Sequence, residues 1–260
     1  MSLALKVLPR RRAPSLPLLA TEYARSLGEF GTLCWTWPVL ARAPLGDGQP
    51  VLVLPGLGTG DALTVPLRAF LKRLGYPTYG WDLGVNVGPT HRISAGIVDR
   101  LAEIHDRHGR AVSMVGWSLG GIFARQVTRQ RPDLVRQVIT LGSPFKLARH
   151  DQSNARLVYG AFRRFHVAEL DLPLEAGEGP LPVPATSIYS RLDGIVSWRT
   201  CLDERSPLAE NIEVLGSHLG YGHNVAAMWA VADRLALRDG EWREFAPPWW
   251  LRAAFGAPRP

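Results

Sequence analysis

Short apolar runs alternate with amphipathic segments along most of the chain. The apolar runs predict strands at residues 51–54, 76–81, 112–115, 135–141, 185–189 and 211–215. Apolar residues at helical spacing predict helices between them, at residues 63–74, 93–108, 120–130 and 225–237. Continuous apolar runs are typical of parallel strands that helices cover on both faces. The pattern therefore predicts an α/β fold with a mostly parallel, doubly wound sheet.

The alternating pattern defines a core at residues 51–240, with an extension on either side. Residues 1–50 are punctuated by proline and contain one predicted helix, at residues 18–33. Residues 241–260 form a tail rich in proline and aromatic residues. We expect the aromatic side chains of this tail to pack back onto the core.

The alternation is interrupted between residues 145 and 184, after the fourth predicted strand. Apolar residues recur there at near-helical spacing with arginines between them, at Leu157, Val158, Phe162 and Phe165. This spacing predicts an amphipathic helix, whose apolar face would line an acyl pocket if it lay over a site. The insertion is lid-like, although an ordinary surface connection would have the same pattern.

Composition indicates a globular chain with a sizeable core, because 46% of its 260 residues are hydrophobic and 20% are charged. No apolar run approaches the ~20 residues needed to span a bilayer. The basic cluster at residues 10–12 follows an apolar stretch instead of preceding one, so a secretory signal is not predicted. A cytoplasmic location is the default expectation.

The formal net charge of +7 raises the question of a nucleic-acid or membrane partner. The basic residues are almost all arginine and are spread along the chain, so we expect no nucleic-acid partner. The arginine-rich start and the Trp249–Trp250 pair are compatible with weak association with a membrane surface. Cys34 and Cys201 have no metal-ligand spacing, and neither a metal nor an organic cofactor is expected. The sequence does not predict whether these cysteines pair, or the oligomeric state.

The most informative motif is Gly116, Trp117, Ser118, Leu119 and Gly120, which stands between a predicted strand and a predicted helix. A serine at the tip of a sharp strand-to-helix turn has an exposed hydroxyl, and its flanking glycines let strand and helix approach closely. The helix N-terminus lies behind this serine, and the N–H of the following residue points where an oxyanion would form. The motif therefore predicts a nucleophilic serine.

A nucleophilic serine needs a base, and the base needs an orienting acid. Asp193 follows the predicted strand at residues 185–189, and its rivals Asp203 and Glu204 lie further from the strand end. His218 follows the last predicted strand within a glycine-rich loop, and His223 is its competitor, five residues further on. The strand-end positions favour Asp193 and His218.

The turn after the first predicted strand, Pro55 to Gly58, is a candidate for the second half of an oxyanion hole. The backbone N–H of Leu57 is the expected donor there. A substrate pocket is expected from Trp117, beside the nucleophile, and from Leu157 and Phe162 of the insertion.

Four segments together resemble the α/β-hydrolase superfamily, and especially its bacterial esterase- and lipase-like members. They are Leu54–Gly56, residues 116–121, residues 189–194 and residues 216–218. The resemblance covers roughly residues 50–238 and implies an α/β-hydrolase fold with a small lid-like insertion after the strand that follows the nucleophile helix. Pro55–Gly56 stands where the family often has His-Gly, and the family's first two strands are not evident before Val51.

The resemblance also implies roles for individual residues. Ser118 would be the nucleophile, Asp193 the orienting acid and His218 the general base, with Leu57 and Leu119 as oxyanion donors. The predicted activity is hydrolysis of a small-molecule ester of a hydrophobic acyl group through an acyl-serine intermediate. Two alternatives remain: an acyltransferase that passes the acyl group to an alcohol or amine, and a non-catalytic binding module on a hydrolase scaffold.

Overall fold

A six-stranded parallel sheet forms the centre of the computed structural model, which describes residues 13–146, 153–167, 179–204 and 206–256. The strands are β1 (Val51–Leu54), β2 (Thr78–Gly80), β3 (Val112–Trp117), β4 (Val135–Leu141), β5 (Ala185–Tyr189) and β6 (Ala209–Glu213). Their order is β2-β1-β3-β4-β5-β6, and each neighbouring pair is parallel. The predicted α/β architecture with a mostly parallel sheet is confirmed.

Helices cover both faces of this sheet. The α-helices of the described residues are α1 (Leu16–Leu40), α2 (Asp61–Arg73), α3 (His91–His108), α4 (Leu119–Gln130), α5 (Arg156–Phe162) and α6 (Val225–Leu235). Helix α5 belongs to the insertion and buries no residue. Val51 and Val53 of β1 pack into one core cluster with residues of α2 and α6. Leu52 and Leu54 pack into a second cluster with residues of α3 and α4. Because side chains alternate between the two faces of a strand, both faces are apolar, which explains the unbroken apolar runs.

Helix α1 and strand β6 are among the elements whose bounds differ from the predicted ones. Helix α1 continues past Pro38 to Leu40, where Trp37 packs edge-on against Phe70 with ring centroids 6.4 Å apart. Strand β6 ends at Glu213, two residues earlier than predicted. The backbone N–H of Leu215 instead donates to the carbonyl of Ala254 in the C-terminal tail, at 3.0 Å.

The C-terminal tail packs onto the core through some of its aromatic residues. Trp250 lies edge-on against Trp229 of α6, with ring centroids 5.0 Å apart, and Phe255 is buried. Trp249, by contrast, is 80% exposed. In the part of the chain that the structure describes, no helix is both long and apolar enough to cross a bilayer.

Residues 153–167 of the predicted insertion contain α5 followed by a 3₁₀ turn at Arg163–Phe165. The ring of His166 lies at a tilt against that of Tyr159, with ring centroids 4.5 Å apart, and its Nε2 lies 2.7 Å from the carbonyl of Val87. This contact attaches the segment to the loop before α3. Residues 147–152 and 168–178 of the predicted insertion lie outside the described residues.

Candidate active site

Ser118 stands at the tip of the turn between β3 and α4, with φ 53° and ψ −120°. A non-glycine residue in such a region costs about 1–3 kcal/mol, and such residues cluster at functional sites. The neighbouring glycines make the turn feasible by leaving space. A Cβ on Gly116 would lie 2.3 Å from Gly121 Cα, and one on Gly120 would lie 2.5 Å from the carbonyl oxygen of Leu54.

The acid position is held by Asp193, on the loop after β5, where its side chain is buried. One carboxylate oxygen, Oδ1, accepts hydrogen bonds from the N–H groups of Ile195 and Val196, each at 2.8 Å. The other oxygen, Oδ2, lies 2.6 Å from Nδ1 of His218. The loop backbone thus orients the carboxylate, and the carboxylate in turn orients the imidazole.

The two rival acids are engaged elsewhere. Asp203 forms a buried ion pair with Arg125 at 2.6 Å, and the guanidinium of Arg125 also lies over the ring of Phe145. Glu204 pairs with Lys146 at 2.7 Å. The structure therefore brings Asp193, and neither rival, to the histidine.

His218 is 4% exposed on the loop after β6. Because a carboxylate can only accept, Nδ1 carries the proton in this pair, and Nε2 is left to act as a base. Burial lowers the pKa of His218, but the charge and hydrogen bond of Asp193, with a smaller contribution from Glu22, outweigh burial and raise that pKa above its ordinary value. The charged imidazolium that forms when His218 takes up a proton is thus stabilised by Asp193.

The rival base, His223, lies against helix α1. Its Nε2 lies 3.0 Å from the carbonyl oxygen of Ser26, and the edge of its ring meets Phe30. This arrangement joins the last loop to α1 and leaves His223 outside the pair formed by Asp193 and His218.

The nucleophile strand and the base loop are in direct contact. The indole N–H of Trp117 donates to the carbonyl oxygen of His218 at 3.0 Å. Within the described residues, the hydroxyl of Ser118 makes no hydrogen bond to His218. Catalytic hydrogen bonds are often long without substrate and shorten in the complex.

The two expected oxyanion donors flank Ser118. Among the described residues, no protein acceptor takes a hydrogen bond from the N–H of Leu57 or Leu119, so both remain available. The turn that carries Leu57 is held by Asn86, which is fully buried. The side chain of Asn86 donates to the carbonyl oxygen of Pro55 at 2.8 Å, and the backbone carbonyl of Asn86 accepts from Gly58 N–H at 2.7 Å.

A small cavity of about 60 Å³ opens beside Ser118. Its lining consists of Leu57, Ser118, Leu119, Ile122, Pro144, Ser153, Ala155, Arg156, Tyr159 and Val196. A larger cavity of about 240 Å³ lies at the other end of the sheet, near Arg136 and Pro184. Sites in parallel α/β sheets lie at the carboxyl ends of the strands, where the smaller cavity is.

The three expected pocket residues, Trp117, Leu157 and Phe162, are not among those that line this cavity. Trp117 is buried in the core and does not line the cavity. Leu157 is 77% exposed, and Phe162 lies toward Gly58. Helix α5 presents Arg156 and Tyr159 to the cavity. The ring of His166 contacts Tyr159, and its Nε2 contacts the carbonyl of Val87. Helical spacing identified an apolar face but not the direction in which the helix docks.

Sequence reasoning also missed two polar residues that hold these loops. Asn86 carries no motif, and its partners lie up to 31 positions away. Ser190 bridges the acid and base loops: its hydroxyl donates to the carbonyl of Gly216 at 2.7 Å and accepts from the N–H of Leu192. The only signal for Ser190 was its position between β5 and Asp193.

Comparison with known proteins supports the resemblance. No protein-family model matches the chain. The pimeloyl-(acyl-carrier protein) methyl ester esterase of Shewanella woodyi is 31% identical over 110 residues. That match spans 42% of this chain and 42% of the esterase, so less than half of each protein is compared.

Solved structures of lipases share the fold. Aspergillus fumigatus lipase B superposes with a TM-score of 0.60 at 18% identity, over 75% of this chain and 54% of that chain. The mature form of Bacillus licheniformis lipase BlEst2 superposes with a TM-score of 0.54 at 17% identity, over 75% of this chain and 94% of that chain. The protein therefore has the α/β-hydrolase fold and, over part of its length, is similar to bacterial methyl ester esterases.

Proposed function

We propose that this protein is a serine esterase that cleaves esters of hydrophobic acyl groups. The observation that carries the proposal is the buried contact of 2.6 Å between Asp193 and His218. Ser118 stands on a strained turn, and the preceding residue, Trp117, donates a hydrogen bond to the backbone carbonyl of His218. A nucleophile, a base and an orienting acid are the components that ester hydrolysis by serine requires. The similarity to bacterial esterases supports the same chemistry.

In the proposed first step, Ser118 Oγ attacks the ester carbonyl carbon while His218 Nε2 takes the hydroxyl proton. Asp193 keeps the imidazole in the productive tautomer and stabilises its charged form. The carbonyl oxygen becomes an oxyanion, which accepts hydrogen bonds from the N–H groups of Leu57 and Leu119. Collapse of this intermediate breaks the ester bond, and His218 gives its proton to the departing alcohol.

In the second step, water attacks the acyl-serine carbonyl. His218 takes a proton from that water, and the same two N–H groups stabilise the second oxyanion. Collapse releases the carboxylic acid and returns the proton to Ser118. In these two steps every proton passes between Ser118, His218, the departing alcohol and water, and the acyl group passes from the ester to Ser118 and then to water.

The lining of the cavity supports a hydrophobic acyl group. Leu57, Leu119, Ile122 and Val196 surround Ser118 with apolar surface, and burial of apolar substrate surface supplies binding free energy. The Shewanella woodyi relative is named for a methyl ester of an acyl group carried by a protein. A small alcohol as the leaving group is therefore the first choice for a substrate series.

The decisive experiment is labelling with a fluorophosphonate probe, followed by a chain-length series of p-nitrophenyl esters. Ser118→Ala should abolish labelling and reduce ester turnover by about 10³-fold or more. Ser153→Ala is the matched control, because Ser153 lines the same cavity but lies outside the turn. Undiminished labelling of folded Ser118→Ala would overturn the proposal.

The same assay separates hydrolysis from acyl transfer. Product analysis in the presence of a competing alcohol measures how the acyl-enzyme partitions between water and the alcohol. A hydrolase should release mainly the free acid, whereas dominant formation of the new ester would identify an acyltransferase.

A further inference from the structure

Helix α1 precedes the segment that resembles other hydrolases, yet one of its side chains contacts both loops of the candidate site. Glu22 is 3% exposed. Its Oε2 accepts a hydrogen bond from the N–H of Gly194, next to Asp193, at 2.9 Å. Its Oε1 accepts from the N–H of Leu219, next to His218, also at 2.9 Å. One carboxylate therefore joins the acid loop to the base loop.

A second carboxylate, two helical turns further along α1, holds the other side of the base loop. Glu29 Oε1 accepts from the N–H of Ser217 at 2.7 Å, and its Oε2 accepts from the side-chain amide of Asn224 at 3.1 Å. The residues before and after His218 are thus both bound to glutamates of α1.

Arg25 completes the contact between α1 and the acid loop. Its guanidinium pairs with Glu22 at 2.6 Å and donates to the carbonyl oxygen of Leu192 at 2.8 Å. Three side chains on successive turns of one helix therefore contact the residues that flank Asp193 and His218.

We propose that Glu22, assisted by Glu29, is a positioning residue that holds the acid loop and the base loop in register for the proposed esterase reaction. The inference rests on the proposed function, since it assigns Glu22 a role through Asp193 and His218. Glu22 contacts backbone groups and Arg25, and it need not touch substrate. Helix α1 is then part of the catalytic framework and not an accessory extension.

The chemistry of a carboxylate explains why glutamate is required. Both oxygens of Glu22 only accept, and each faces a backbone donor from a different loop. In Glu22→Gln one oxygen is replaced by an NH₂ group, which would face an N–H donor. One of the two loops must then lose its partner and shift. Misplacement by about 1 Å at a catalytic group can reduce turnover about 100-fold.

The charge of Glu22 has a separate consequence for pH dependence. The charged and titratable groups around His218 are Asp193 from the acid loop, Glu22, Arg25 and Glu29 from α1, and Tyr221 from its own loop. Burial lowers the pKa of His218, while Asp193 and Glu22 raise it. Removing the negative charge of Glu22 leaves Arg25 uncompensated, and both changes lower that pKa.

The test compares Glu22→Gln with Glu210→Gln. Glu210 is a matched control, because it also accepts from an arginine and from a distant backbone N–H, at 2.7 Å from Arg234 and 2.8 Å from Phe245. It lies at the start of β6, away from both loops. Both variants lose comparable hydrogen bonds, so their melting temperatures serve as the structural reference.

For Glu22→Gln we expect kcat to fall about 10- to 100-fold while KM changes less than about twofold. The rate of fluorophosphonate labelling should fall with kcat, and the acid limb of kcat/KM against pH should move to lower pH. The double variant Glu22→Gln with Glu29→Gln should lose more activity than either alone. Glu210→Gln should keep the kcat and pH profile of the parent.

Two outcomes would overturn the inference and are distinguishable. If Ser118→Ala is inactive but Glu22→Gln matches Glu210→Gln in kcat and in pH profile, the positioning role fails while the esterase proposal stands. If folded Ser118→Ala keeps its activity, the proposed function fails and the positioning role fails with it. Should Glu22→Gln not fold, Glu29→Gln with the same readouts decides the question at the base loop alone.

Discussion

The indole N–H of Trp117 donates a hydrogen bond to the backbone carbonyl of His218, with a donor–acceptor distance of 3.0 Å. Both residues are buried. The residue immediately before the candidate nucleophile therefore supports the backbone of the candidate base, although 101 positions separate them in the chain. This hydrogen bond links the end of β3 to the loop after β6.

We predict that Trp117→Phe reduces kcat about tenfold, because the His218 carbonyl loses its partner and the base loop can shift. A buried carbonyl without a partner should also lower the free energy of unfolding by about 1–3 kcal/mol. Trp81→Phe is the control, since Trp81 is buried and donates its indole N–H to Gly84 at 2.9 Å. Denaturant unfolding and ester turnover measure both effects. Equal kcat losses in the two variants would contradict a specific role for Trp117.

We predict that His218→Ala reduces turnover by about 10³-fold or more, because Ser118 then has no base. His223→Ala should retain most of the activity and mainly weaken the packing of α1, since its ring contacts Ser26 and Phe30. Steady-state kinetics and thermal melting of both variants test the assignment. A larger kcat loss at His223 would transfer the role of base to that residue.

We predict that kcat/KM rises with pH through a pKa above the ordinary histidine value of 6.5, because neutral His218 is the active form and Asp193 raises its pKa. A raised folded-state pKa stabilises the fold below the unfolded pKa, and this contribution disappears as the pH rises through the folded pKa. Activity should therefore be highest above the folded-state pKa of His218, where this contribution to stability is absent.

The control for the pH prediction is Asp193→Asn. It should lower kcat about 10⁴-fold through the wrong tautomer and move the remaining acid limb to lower pH. If the acid limb of kcat/KM against pH does not move in Asp193→Asn, a group other than His218 determines that limb.

We predict that Tyr159→Ala changes the preference for acyl chain length, because Tyr159 lines the cavity beside Ser118. Leu157→Ala on the same helix should leave the preference unchanged, since Leu157 is 77% exposed. A p-nitrophenyl ester series from short to long chains provides the comparison. Identical profiles for Tyr159→Ala and the parent would mean that α5 is a surface connection and does not select the acyl group.

Local patterns were sufficient to predict the sheet. Strands β1, β4 and β5 have the predicted bounds, because an apolar run between turn residues specifies a buried parallel strand without reference to its neighbours. The turn around Ser118 was predictable for the same reason: its glycines, its strand and its helix are contiguous in sequence. Asp193 and His218 were candidates because each lies on the loop that follows a predicted strand.

Contacts between distant segments decided what the sequence left open. Glu22 meets Gly194 and Leu219 across 172 and 197 positions, and no local pattern marks a helical glutamate as buried. The helical spacing of residues 156–165 identified α5 but not its orientation, because the segment packs against a distant loop, where His166 contacts the carbonyl of Val87 across 79 positions. Local propensity acts over a few residues, whereas the direction of a side chain depends on which segments fold against it. The sequence by itself thus determined the sheet and the order of the candidate residues, and the tertiary structure determined what holds them together.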